Sequence, residues 1–308
     1  MTASPTLVIG TRGSPLALAQ AHETQDRLVA AHGWTVEHLP LSIIKTTGDA
    51  IQDRPLSEAG GKGLFTKELD IALLDGSIDL AVHSAKDLPT TLPGGIVIAG
   101  FLPREDVRDA FISHRFKSLN DLPQGAIVGS ASLRRQAQIR RLRPDLQVTL
   151  LRGNVQTRLA KLERGEVDAT LLAMAGLRRL GLTGHVTTVL ETDDFLPAVG
   201  QGAIAIAIRA EDERVRQALH PILDAPTGQA LAAERAFLTI LDGSCRTPIA
   251  GHARLNGSEL EIRGLVLRPD GSESLEVVRR GSPDDAVALG REAGSELRSR
   301  MPPDFLKA

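Results

Sequence analysis

One thiol, a set of arginines at the starts of helices and a lysine–aspartate pair carry the chemistry of this 308-residue chain. The thiol is Cys245, the single cysteine, within Leu241-Asp242-Gly243-Ser244-Cys245-Arg246-Thr247-Pro248. A structural cysteine packs as a small apolar group and lies within a hydrophobic run. This one has a Gly-Ser turn on one side and an arginine on the other. That context describes a loop-borne thiol, reachable and shifted toward thiolate by the adjacent cation. The plain alternative is an incidental surface cysteine.

Three segments share a strand, a small polar turn and a helix, with arginine at the junction. They are Gly10-Thr11-Arg12-Gly13-Ser14-Pro15, Gly129-Ser130-Ala131-Ser132-Leu133-Arg134-Arg135 and Leu151-Arg152-Gly153-Asn154-Val155-Gln156-Thr157-Arg158. In each a Ser or Asn is placed to cap the helix, and Pro15 suits a first helical position. Free backbone N–H groups collect at such a junction and favour an anion. Arginine in a first turn opposes the helix dipole by about 0.3–1 kcal/mol. Repeated three times, that cost is better explained by anionic ligands than by helix stability. The guanidinium fork matches carboxylate or phosphate in a bidentate way. Ordinary surface arginine accounts for any single one of these residues as well as a ligand does, but less comfortably for all three together. From Ser132 to Gly181 the chain holds eleven Lys and Arg against four acids, although its formal net charge is −2. A solvated helix face explains part of that excess; a site for a small polyanion explains it better.

A fourth segment, Leu80-Ala81-Val82-His83-Ser84-Ala85-Lys86-Asp87-Leu88-Pro89, leaves a strand with four polar groups in five residues. Asp87 beside Lys86 reads as a carboxylate held ionised next to a cation, suited to acid–base work or to stabilising a cation. A Ser-His-Asp hydrolase is disfavoured. Groups this close in sequence rarely converge into a triad, and the serine lacks a Gly-x-Ser-x-Gly turn. Metal is disfavoured too: the eight histidines are scattered, and His22-Glu23-Thr24-Gln25-Asp26 has no second histidine at zincin spacing.

The elements that must position these groups alternate through the first two thirds of the chain. Short apolar runs predict strands at 7–9, 36–44, 80–83, 96–100, 127–129, 148–151, 170–173 and 203–208. Helical patterns fall at 15–31, 66–74, 133–142, 155–164 and 212–223. This alternation predicts α/β layers with mostly parallel sheet, where ligands bind at the carboxyl ends of strands. Breaks near Pro103-Arg104-Glu105-Asp106 and Pro197-Ala198-Val199-Gly200 mark off a middle domain of about 100 residues, an ordinary size. Beyond Pro226 the order changes to a long helix at 229–241, the Cys245 loop, strands at 249–255, 260–267 and 274–280, and a helix at 284–299. That reads as a separate small α+β domain. The polar, glycine-containing stretch from Thr46 to Lys62 is either a lid or a plain connection. Its Gly60-Gly61-Lys62-Gly63 tract is not a phosphate loop, because Gly63 stands where Ser or Thr would hold magnesium. No repeat is visible in the sequence.

Bulk composition narrows the class. The length calls for two or three domains. Hydrophobic content of 42% and charged content of 24% are ordinary for a globular protein. No run approaches the ~18 apolar residues of a membrane span. The start of the chain lacks the features of a signal peptide. A single cysteine forbids an internal disulfide, so the chain reads as cytoplasmic. The slightly acidic balance argues against a nucleic-acid partner, as do 3% aromatics with one Trp and no Tyr.

Together the motifs resemble the porphobilinogen deaminase (hydroxymethylbilane synthase) family. The residues that carry the resemblance are Arg12-Gly13-Ser14-Pro15-Leu16-Ala17, Val82-His83-Ser84-Ala85-Lys86-Asp87-Leu88-Pro89, Ser132-Leu133-Arg134-Arg135-Gln136, Leu151-Arg152-Gly153-Asn154, Ala175-Gly176-Leu177, Pro197-Ala198-Val199-Gly200-Gln201-Gly202 and Gly243-Ser244-Cys245. They stand in family order over essentially the whole chain. The resemblance implies two similar α/β domains like the type II periplasmic binding proteins, 1–102 with 197–221 and 103–196, and an α+β domain at 222–308. It implies a dipyrromethane cofactor, itself made from substrate, held by a thioether to Cys245. It implies deamination and head-to-tail joining of four porphobilinogen molecules, with hydrolytic release of the linear tetrapyrrole 1-hydroxymethylbilane in porphyrin and haem biosynthesis. The resemblance also implies a monomer that works without metal, membrane or nucleic acid.

Residue roles follow from the resemblance position by position. Asp87 is expected beneath the pyrrole nitrogens, where it stabilises the cationic azafulvene and assists proton transfers. Ser84, Lys86, Ser130, Ser132, Arg134 and Arg135 are expected to hold the cofactor carboxylates. Arg12, Ser14, Arg152, Arg158 and Arg179 are expected to hold the acetate and propionate of the incoming substrate. Gln201 is expected near the hinge and cleft, and 46–62 as the lid. Ala131 departs from members with serine there, removing a hydroxyl contact, and Arg246-Thr247 follows the cysteine where others differ. Two other classes compete. A cytoplasmic binding protein for a small anion leaves Cys245 idle, and a cysteine-dependent hydrolase needs a histidine against it.

Overall fold

The chain alternates strand and helix from the start because capping and apolar patterning alternate. The structure, a computed structural model, describes residues 6–50, 63–243 and 247–306. Strand β1 (Ile9–Arg12) runs into α1 (Pro15–His32), then β2 (Leu41–Ile44), α2 (Thr47–Ala50), α3 (Lys67–Leu74), β3 (Leu80–Ser84) and β4 (Ile96–Phe101). Next come β5 (Asp109–Ile112), β6 (Ile127–Gly129), α4 (Leu133–Leu142), β7 (Gln147–Thr149), α5 (Val155–Glu163), β8 (Ala169–Ala173), α6 (Met174–Arg179) and β9 (Thr188–Leu190). The chain continues through β10 (Ile204–Arg209), α7 (Glu213–Leu219) and α8 (Ala225–Ile240). It ends with β11 (Ile249–Asn256), β12 (Glu259–Leu267), β13 (Ser274–Gly281) and α9 (Ala286–Arg300).

Two compact units result, Met1–Glu105 with Ala203–Gly228 and Asp106–Gly202 with Gln229–Ala308. The first holds a five-stranded sheet in the order β2-β1-β3-β10-β4. In it β1 lies parallel to β2 and β3, while β10 lies antiparallel to β3 and β4. Strand β10 is buried from Ile204 to Ile208, as its unbroken Ile-Ala-Ile-Ala-Ile run requires of a strand covered on both faces. Ile204, Ile206 and Ile208 join Leu80, Val82 and Leu28 on one face; Ala207 joins Ala81, Leu69 and Leu73 on the other.

The second unit holds a sheet ordered β7-β6-β8-β5-β9, with β6 parallel to β7 and β8 and with β5 antiparallel to β8 and β9. It also holds the antiparallel meander β11-β12-β13, against which α9 packs. Helices α8 and α9 approach closely at Gly290, where a Cβ would stand 2.1 Å from the Ala233 carbonyl oxygen. Glu234, wholly buried on α8, accepts the Gly200 N–H through Oε2 at 2.7 Å and the Ala253 N–H through Oε1 at 2.8 Å. Among the described residues no helix is long and apolar enough to cross a membrane.

The α/β class is as expected, with corrections in detail. In each five-stranded sheet four strands run the same way, as expected, and one, β10 or β5, runs against its neighbours. The predicted strand at 36–44 is one 3-10 turn, Val36–His38, followed by β2, with Pro40 between them. The predicted helix at 212–223 tightens into a 3-10 turn at His220–Ile222, where Pro221 cannot continue an α-helix. The first residues of the 46–62 stretch form α2, and 51–62 lie outside the described residues. A likeness invisible in sequence is present in the sheets: both five-stranded sheets place one antiparallel strand fourth among four parallel ones, although that strand comes last along the chain in the first and first in the second.

Candidate functional site

The three arginine-bearing junctions are capped as their residue types dictate. Ser14 accepts the Ala17 N–H at 3.3 Å, Ser132 accepts that of Arg135 at 3.4 Å, and Asn154 accepts that of Thr157 at 2.8 Å. Pro15 opens α1 at the position that loses no hydrogen bond. Gly153 takes φ +119 before Asn154, a conformation that L side chains rarely adopt, and so lets the chain turn into α5.

In the first unit, β1 and β3 are paired in parallel and carry their ends to one edge of the sheet. Arg12 leaves β1 and Asp87 ends the 3-10 turn Ala85–Asp87 that follows β3. Their Nη1 and Oδ2 atoms stand 3.9 Å apart, and the Asp87 side chain is 35% exposed, so this carboxylate is reachable. The Arg12 guanidinium lies 4.2 Å above the centre of the Phe65 ring, which fixes its plane. Ser84 and Gln20 exchange hydrogen bonds at 3.0 Å, and Lys86 sits half-buried in the same turn. His83, just before Ser84, is buried with no partner for Nε2. Burial, helped by the positive Arg12, pushes its pKa down to about 4, so the ring is neutral at pH 7.

In the second unit the basic groups are rooted in the interior. Arg134 and Arg135, in the first turn of α4, are 4% and 5% exposed and converge on Asp109, which is fully buried. Asp109 Oδ2 accepts Arg134 Nη2 at 2.7 Å; Oδ1 accepts Arg135 Nη2 at 2.7 Å and Nε at 3.2 Å. Arg134 Nη1 also donates to the Leu196 carbonyl and Arg135 Nη1 to that of Leu171. Burial alone would raise the Asp109 pKa; the two guanidinium groups more than reverse this and hold it well below the usual carboxylate range. Gln201 donates through Nε2 to Asp109 Oδ1 at 2.8 Å and to the Val107 carbonyl at 2.7 Å.

The Ser130 hydroxyl accepts the Ser132 N–H at 3.2 Å. Arg158 Nε donates to the Gly153 carbonyl and Arg179 Nη1 to that of Gly202. The Arg152 Nη1 atom and the Arg134 Nε atom are buried with no hydrogen-bond partner. Ser244, Cys245 and Arg246 lie outside the described residues.

The expected residues among those described therefore fall into two sets: Arg12, Ser14, Ser84, Lys86 and Asp87 in the first unit, and Ser130, Ser132, Arg134, Arg135, Arg152, Arg158, Arg179 and Gln201 in the second. Sequence reasoning overlooked Asp109, Gln20, Phe65 and the burial of His83. Asp109 alone carried a signal, an acid opening the apolar run Ala110-Phe111-Ile112.

A dipyrromethane brings several carboxylates, and the residues present fit it. Buried guanidinium N–H groups of Arg134 and Arg152 have donors to spare, and the Asp109 cluster keeps one positive charge in excess.

Fold and charge define the class: an α/β protein whose strand–helix junctions suit small anions. A family model described as porphobilinogen deaminase, dipyrromethane cofactor binding domain, matches residues 7–217, and the porphobilinogen deaminase C-terminal domain matches 229–299. The chain belongs to the porphobilinogen deaminase family. It is 62% identical over 297 residues to the porphobilinogen deaminase of Nitrobacter hamburgensis, covering 96% of this chain and 94% of that one. The enzyme of the same name from Paracoccus denitrificans is 57% identical, covering 96% and 95%. Among solved structures, the methionine binding protein MetQ aligns with a TM-score of 0.45 at 13% identity, covering 70% of this chain and 89% of that one. A periplasmic substrate-binding protein of an ABC transporter from Coxiella burnetii aligns with a TM-score of 0.45 at 17% identity, covering 75% and 97%.

Proposed function

We infer that this chain is a transferase of porphyrin biosynthesis that deaminates four porphobilinogen molecules and joins them head to tail into 1-hydroxymethylbilane. The observation that carries this reading is the family match across 7–217 and 229–299, the second stretch including Cys245. Bound through Cys245, the dipyrromethane supplies the pyrrole carbon to which the first substrate is joined.

The chain's own residues divide the work. Asp87, reachable and beside Arg12, is the group that stabilises positive charge as ammonia leaves the substrate and that takes part in proton transfers at the pyrrole nitrogen. A fixed carboxylate helps here because the charge is larger in the transition state than in the neutral substrate. Arg12, Ser14, Arg152, Arg158, Arg179 and Gln201 hold the substrate's acetate and propionate. Ser84, Lys86, Ser130, Ser132, Arg134 and Arg135 hold the carboxylates of the cofactor. The half-buried Arg12 and Arg152 suit ligands that come and go; the interior Arg134 and Arg135 suit one that stays. The three-part division 1–102 with 197–221, 103–196 and 222–308 gives the cysteine its own domain. The enzyme works in the cytoplasm as a monomer.

Intact-mass spectrometry tests the core of this reading. The purified chain is expected to carry an adduct of two pyrrole units, and Cys245→Ser is expected to lose both the adduct and turnover while keeping its fold. Serine is the poorer nucleophile near neutral pH, where a cysteine of pKa about 8.5 supplies some thiolate. A wild-type chain without adduct, or a Cys245→Ser chain that retains it, overturns the assignment.

A further inference from the structure

Asp109 is not among the residues to which the reading above gives a role, yet it is a fully buried acid at the centre of an ion cluster in the second unit. Its two oxygens accept four hydrogen bonds from three side chains: Arg134, Arg135 and Gln201. The fold does not demand an acid there. Asp109 pairs with Ala173, the last residue of β8. In the first unit the matching slot, opposite the last residue of β3, Ser84, is occupied by Ile204. Both residues are fully buried and open the antiparallel strand that stands fourth in its sheet. An apolar residue therefore serves the architecture. Stability does not explain the acid either, because replacing a buried ion cluster by well-packed apolar groups is often neutral or stabilising.

What Asp109 does supply is orientation. One carboxylate fixes the planes of two guanidinium groups, while the Leu196 and Leu171 carbonyls each hold one further corner. Two cations around one anion leave one positive charge uncompensated. The buried Nε–H of Arg134, which has no partner, is a donor this cluster does not use. A guanidinium is a strong ligand for a carboxylate only when its fork is aligned.

We propose that Asp109 is a positioning residue that holds Arg134 and Arg135 in the orientation needed to grip the carboxylates of the dipyrromethane, with Gln201 locked into the same node. This rests on the assignment of those two arginines to the cofactor. The proposal makes a prediction opposite in sign to simple electrostatics. Removing a negative charge beside an anion site should strengthen anion binding; removing a positioning group should weaken it.

The test compares wild type, Asp109→Asn and Asp109→Glu, each also in a Cys245→Ser background that cannot load cofactor. Intact mass gives cofactor occupancy, and thermal unfolding of the loaded and unloaded forms gives the stabilisation due to cofactor. We expect occupancy to fall roughly 10-fold or more in both variants, the scale of one misaligned charged hydrogen bond. The gap in Tm between loaded and unloaded forms should narrow, in Asn as well as in Glu. If both forms lose Tm equally and the gap stays as in wild type, Asp109 is a structural counter-ion and the proposal fails. If the gap widens in Asn and is unchanged in Glu, its effect is charge alone and the proposal fails. Should Asn not fold, Glu decides; should neither fold, the role is structural and the proposal falls. Failure of the underlying assignment looks different: there Arg134→Leu is loaded as fully as wild type.

Discussion

At the slot where β10 of the first unit carries Ile204, β5 of the second carries Asp109, and the difference divides the molecule's charges into two kinds. In the first unit the matching slot is apolar. The ionic pair at that unit's candidate site, Arg12 and Asp87, lies at the strand ends, partly exposed and 3.9 Å apart. In the second, an acid and two arginines are sealed inside with bonds of 2.7 Å. A loose pair at the rim can exchange partners with a ligand at little cost, since exposed ion pairs contribute about 0–1 kcal/mol. A sealed cluster cannot, since breaking it strands a charge away from water. One arrangement of strand directions thus carries an exposed ion pair in one unit and a sealed one in the other.

Breaking the sealed cluster should have the largest effect. Arg134→Leu leaves Asp109 with half its compensation, and we expect a loss of roughly 3–5 kcal/mol of stability by denaturant unfolding. Arg12→Leu, the matching change at the rim, should cost less than about 1 kcal/mol while still lowering activity. Comparable losses for the two would erase the distinction. Next comes Asp87→Asn, which keeps size but removes charge. Turnover should fall at least ~10²-fold with Tm unchanged, the lower end of acid–base and electrostatic effects. Asp87→Glu should retain more activity than Asn; an Asn variant of near-normal turnover would demote Asp87 to a partner of Arg12.

A smaller effect distinguishes the one buried titratable ring of the first unit's site. His83 has its pKa pushed down from 6.5 to about 4, so between those values the unfolded chain binds a proton that the folded chain does not. Stability must therefore rise with pH across that window and be lost on acidification, by about 2 kcal/mol between pH 7 and pH 5. Urea titrations of His83→Gln at the two pH values should lack that portion of the slope. The smallest effect is shared: Ser14→Ala and Ser132→Ala should each cost about 1 kcal/mol, because both caps make the same bond. Caps of very different worth would mean the two junctions are less alike than their geometry.

What was legible in the sequence was local. Ser14, Ser132 and Asn154 were readable as caps because a cap and its helix are adjacent in the chain. The Asp87 and Arg12 segments stood out because polar groups follow apolar runs directly. The positions of Arg134 and Arg135 were equally readable, but their direction was not, since Asp109 lies 25 and 26 residues upstream. It opens a four-residue strand with no turn signal of its own. Helix α6 and strand β9 span six and three residues, too few for a period to emerge. Strand polarity is a tertiary property: the apolar run of β10 fits a buried strand of either direction. Cys245 owes its role to the family pattern, because its own neighbours fit an idle surface thiol as well.

The position of β10 between β3 and β4 also constrains how the chain is made. On the ribosome, β3 and β4 emerge about 100 residues before the strand that joins them, roughly 5–20 s at ordinary elongation rates. The second unit's five strands, from Asp109 to Leu190, need no such late arrival. The nascent protein therefore has its second sheet complete while the first still has two open backbone edges, a template for wrong pairing. A ribosome stalled before Ile204 leaves the first sheet without the strand it closes on. The turn that carries Asp87 is then unanchored as well, because the Ala85 N–H has its acceptor in the carbonyl of Ala203. That turn therefore gains this anchor only once residue 203 has been made.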